Sequence, residues 1–209
     1  MSPLVGPSHP LVQATAVSIL MMGQVLYLLL QLPRLTLMTP EGMILCSLWL
    51  FHALMAVHWW YGGLYFLQHL GPAKTLPSVY FFFALLGTSI APMMFIHDQA
   101  LYMGTFAVSF LLAFVRYRTL LPTLAPGSGV REYVRKKAHV EAAGFAMLGW
   151  GAISGVVITD PRLQAVMAAT AVLIQTALIV YCVKKLYPLA EADASAVTGA
   201  AVVSLAKAS

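Results

Sequence analysis

The 209-residue chain is 60% hydrophobic and only 9% charged, with a mean hydropathy of +0.83, whereas soluble domains carry ~25% charged residues. This excludes a soluble globular domain as the organising unit, and the length divides instead into apolar spans of the ~20 residues that cross ~30 Å of hydrocarbon. The net charge of +5 sits at span ends and in one loop, which points to head groups and orientation and away from nucleic acid.

The first span is expected over 11–32, closed by Pro33 and Arg34. No basic residue precedes Arg34, so a cleavable leader is not expected. The second covers 42–68 and stops before Gly71 and Pro72. It gathers most of the neutral polarity of the chain: His52, His58, Trp59, Trp60, Tyr61, Tyr65 and His69. At 100° per residue, His58, Tyr61, Tyr65 and His69 share one helical face, while His52 and Trp59 share another. His58 then lies close to the bilayer midplane, and Gly62 and Gly63 permit close approach of a ligand or helix.

The third span is expected over 78–96. Pro92 cannot donate to the carbonyl of Thr88, which kinks the helix and frees an acceptor. Thr88 and Ser89 stand at the depth of His58, so the candidate ligand-binding set is His58, Trp59, Tyr61, Tyr65, Thr88 and Ser89. A tight turn at His97 and Asp98 leads to the fourth span, 99–121, in which Thr105, Ser109 and Arg116 share a face.

The connection 122–140 is the longest. Pro126, Gly127, Ser128 and Gly129 form a flexible break, and 130–139 has the apolar face of an interfacial helix leading into the fifth span at 141–159. That span carries Gly151 and Gly155 in GxxxG spacing, a face for close helix packing within the protomer, in a homo-oligomer or in a larger membrane complex. Its stretch 141–149 resembles in part the helix motif of light-harvesting chlorophyll-binding proteins, but is one residue short and lacks the arginine that pairs with the glutamate. The sixth span, 163–183, ends at Lys184 and Lys185. Residues 1–188 thus form one six-span transmembrane domain, and 189–209 a short tail of small residues.

Orientation follows from the bases. With the N-terminus inside, inner segments hold ten (Lys74, Arg116, Arg118, Arg131, Arg135, Lys136, Lys137, Lys184, Lys185 and Lys207), and outer loops hold only Arg34 and Arg162. The expected fold is an all-α, polytopic integral membrane bundle with both termini on the cytoplasmic, positive side and the lipid bilayer as its partner.

No Asp, Glu, Lys or Arg falls in the middle of an expected span. Glu141, Arg116 and Arg118 are placed near inner ends. This argues against a carboxylate-based pump and a voltage sensor. His52 and His58 lie on one helix about 120° apart and cannot sandwich a haem, and zinc and nucleophile motifs are absent. No cofactor or metal is expected. The leading expectation is a membrane-embedded binding or transport protein for a small neutral or apolar ligand. An accessory subunit of a larger complex is the first alternative. The second is a membrane enzyme on a lipid-soluble substrate, with His58 and Tyr61 as acid–base groups.

Overall fold

The computed structural model describes residues 9–31 and 39–191. Helix α1 is Pro10–Gln31 and α2 is Pro40–Leu70. Helix α3, Leu76–Ile90, tightens into a 3₁₀ stretch at Ala91–Phe95. Helices α4, α5 and α6 follow at Gln99–Leu120, Gly129–Val157 and Pro161–Tyr181. The last continues through a π-helical turn at Cys182–Leu186. No strand occurs among the described residues. Six helices are long and apolar enough to cross a membrane. Their outward faces carry Leu29, Trp150, Val156 and Leu173, all exposed, and extensive apolar exteriors mark protein or membrane contact. The first turn out of α1, at Pro33 and Arg34, and the tail beyond Glu191 lie outside the described residues.

Local chemistry sets most helix starts. Thr39, Thr75, Ser128 and Asp160 occupy N-cap positions, and their side chains accept from backbone N–H groups that helix geometry leaves without partners. Asp98 caps α4 by accepting from the Leu101 N–H at 3.0 Å. Gly71 and Gly127 adopt φ of 77° and 81°, a left-handed region where glycine is favoured, and each turns the chain between helices.

Helices α4 and α5 form the closest pair, while α2 packs on α1 and α6. Close approach in the first pair depends on glycine. A Cβ at Gly155 would come within 3.2 Å of the Ala100 backbone, and one at Gly144 would collide with the Phe110 ring. Gly151 likewise faces Met103. The GxxxG face is therefore packed within the chain, against α4.

Between α2 and α4 the spacing is wider and is filled by aromatic rings. Phe51 meets Phe106 edge-on at 5.5 Å, Trp59 lies against Phe106 and Phe110, and the Tyr102 hydroxyl donates to the Leu48 carbonyl. A second cluster surrounds Tyr65, Tyr117, Tyr133 and Tyr187. Helix α3 rests on α4 and only lightly on α1.

Two boundaries differ from expectation in a way that matters. Helix α5 starts at Gly129, so the basic stretch expected to be an interfacial lead-in is continuous with the span. Helix α6 runs on past Lys185 because one π turn absorbs the change of register.

Candidate functional site

The continuity of α5 decides the site. At 3.6 residues per turn, Val134, Lys137, Glu141, Gly144 and Leu148 fall on one stripe, and all five are buried. Arg135 and Lys136 point away and pair with Glu132 on the surface, at 2.7 and 3.3 Å. Lys137 and Glu141 lie eight and twelve residues into the helix, or ~12 and ~18 Å along its axis at ~1.5 Å per residue. The expectation of a charge-free interior is corrected here. It placed Lys137 on an interfacial helix before the span and Glu141 at the span end, whereas both belong to the inward face of one longer helix.

The two side chains form a 2.7 Å salt bridge, with the lysine 4% and the glutamate 2% exposed. The Lys137 ammonium also lies 3.1 Å from Nε2 of His58. An ammonium only donates, so Nε2 accepts and the imidazole is neutral, with its proton on Nδ1. Glu141 Oε1 takes the salt bridge, and Oε2 is buried without a hydrogen-bond partner among the described residues. Tyr133, Cys182 and Tyr187 are within electrostatic range of the ammonium.

Beside this trio is a cavity of about 100 Å³. Val17 and Met21 of α1, Trp59 and Phe66 of α2, and Phe81, Phe82 and Leu85 of α3 form its apolar walls, while His58, Lys137, Glu141 and Arg116 supply its polar groups. The α3 wall is half-buried. Arg116 stands 5.7 Å from the centroid of Phe66, a cation–π contact. Gly62 and Gly63 also border the cavity. A Cβ at Gly63 would come within 3.1 Å of Val17, and one at Gly62 within 3.3 Å of the Tyr187 hydroxyl.

Of the expected set, His58 and Trp59 line this cavity. Tyr61 and Tyr65 do not. Tyr61 is half exposed and stacks on Tyr65, while Tyr65 is buried one layer away and donates to the Tyr187 carbonyl. Thr88 and Ser89 are also separate from the cavity. Their hydroxyls donate to the Leu85 and Leu86 carbonyls at 3.0 and 2.6 Å. The Thr88 carbonyl, which Pro92 cannot serve, accepts from the Ser109 hydroxyl of α4 at 2.7 Å. The kink is satisfied inside the protein and presents no open acceptor.

His52 is occupied elsewhere, with Nε2 2.7 Å from the side-chain oxygen of Gln24 on α1. No group of three or more His, Cys, Asp or Glu side chains suited to a metal ion occurs among the described residues.

Lys137 and Glu141 are the site residues that residue patterns did not single out. The signal was present. Ser128 followed by an acid at Glu132 marks a helix start, and carrying the apolar face of Val130 and Val134 forward in steps of three and four reaches both residues. Comparison with protein-family models, curated proteins and solved structures found no match.

Proposed function

We propose that the chain is a multi-pass membrane protein that binds a small, largely apolar ligand in the cavity between α1 and α5. The observation that carries this reading is the combination of aromatic walls with one polar end, formed by His58, Lys137 and Glu141. Ionisable groups are costly within a bilayer and are retained where they serve a use, and ligand sites pair apolar walls with a few convergent polar groups. The cavity is comparable in scale to the ~150 Å³ apolar cavity that admits benzene, so it suits one ring or the end of a longer molecule.

With Lys137 assigned to the buried face of α5, nine bases against two still support an N-terminus on the cytoplasmic side. In that orientation Arg131, Arg135 and Lys136 meet the inner head groups, and the Lys137–Glu141 pair lies within the hydrocarbon layer. The ligand reaches it from the membrane past the half-buried α3 wall.

Tritiated 4-butylanisole tests this on protein in nanodiscs, with empty nanodiscs subtracting partition into lipid. A saturable component of about one probe per chain is expected, weakened about tenfold or more by Ala113→Leu, which fills the cavity. Linear uptake equal to that of empty nanodiscs, for this ether and for 4-butylphenol alike, contradicts the proposal.

A further inference from the structure

Glu141 Oε2, on the acid salt-bridged to Lys137, is buried at the cavity and without a hydrogen-bond partner among the described residues. Such an atom costs the full desolvation of its charge unless something donates to it. The Lys137 ammonium carries three protons. One goes to Glu141 Oε1 and one to His58 Nε2, and the third is not committed to any described group. Both residues border the cavity, so its polar end draws on one acceptor and one donor from the same ion pair. Around them stand Trp59, Phe66, Phe81 and Phe82.

Resting on the binding reading above, we infer that the ligand presents a neutral hydroxyl on a ring-sized apolar body, the chemistry of an alkylphenol or quinol. A hydroxyl is the smallest substituent of an apolar ring that uses both positions through a single atom. It donates its proton to Glu141 Oε2 and accepts from the third ammonium proton. An ether accepts but cannot donate, and so leaves the carboxylate oxygen without a partner. A carboxylate brings a second negative charge against Glu141. The ring fits the aromatic walls, and its alkyl substituent leaves along Phe82 and Leu85.

The test compares 4-butylphenol with 4-butylanisole and 4-butylbenzoate in nanodiscs, each affinity referred to the probe concentration in the lipid. Wild-type protein is expected to bind the phenol about tenfold or more tightly than the ether, the scale of one hydrogen bond to a charged group. In the double variant Lys137→Met/Glu141→Leu the phenol's advantage is expected to fall to about onefold. Saturable binding of phenol and ether with equal affinity in the wild type overturns the hydroxyl assignment and leaves the binding site standing. Preference for the benzoate also overturns it, in favour of an anionic ligand held by Lys137 and Arg116. Absence of saturable binding for all three removes the binding reading itself. The wild-type comparison decides the matter even if the double variant fails to fold.

Discussion

Lys137 and Glu141 hold each other in place by mutual charge, and that coupling dictates how they respond to substitution. Removing one partner leaves an uncompensated buried ion. Lys137→Met or Glu141→Leu alone should lower stability by about 3–5 kcal/mol, whereas the double variant should match or exceed the wild type. Thermal or denaturant unfolding in micelles measures this, and additive losses would show that the pair is not coupled. Ser109 gives a smaller case. Ser109→Ala withdraws the donor to the Thr88 carbonyl and should cost about 0.6–2 kcal/mol in the same measurement. At this scale the sequence disclosed His58 and the acceptor freed by Pro92. It did not disclose who would meet them, because those partners lie 79 and 21 residues away, and helix spacing relates only neighbours on one helix. Tyr61 shares a helical face with His58, but a face is broad, and Tyr61 packs on Tyr65 and Tyr187 rather than along this cavity.

Helix α5 shows how an element carries the site. Its first turns read as an interfacial lead-in because Arg131, Arg135, Lys136 and Lys137 are close in sequence and so many bases suggest a helix lying outside the span. Helical phase separates them, sending Arg135 and Lys136 to the surface and Lys137 inward. The rest of the helix was easier to read, since the crowding of glycines announces close packing. That packing sets the depth at which Lys137 meets His58 of α2. A side chain at Gly144 would displace the Phe110 ring, so Gly144→Leu should destabilise the protein by about 1–3 kcal/mol. Phe110→Ala in the same chain should recover part of that loss. Equal stability of Gly144→Leu and wild type would mean that α4 and α5 are not held as closely as described.

For the whole molecule, six apolar helices were legible from composition and length, because hydrocarbon thickness leaves few ways to divide such a chain. Which helices adjoin was not, since lipid-facing and protein-facing residues are equally apolar and pairwise packing leaves little trace in composition. The proposed orientation has its own check. Cysteine introduced at the exposed His97 should react with a membrane-impermeant maleimide in intact cells, and cysteine at the exposed Ala125 only after permeabilisation, each scored against the parent protein. The reverse pattern would invert the topology.

The central claim is that the cavity beside His58, Lys137 and Glu141 is where a membrane-soluble molecule binds. Photolabelling tests it most directly. Reconstituted protein is irradiated with a diazirine derivative of 4-butylphenol, and the modified residues are mapped by mass spectrometry with and without excess 4-butylphenol. The account predicts competable labels on the cavity walls, at Trp59, Phe66, Phe81 or Phe82. Labels confined to outward residues such as Leu29, Trp150 and Leu173, and unaffected by competitor, would contradict it.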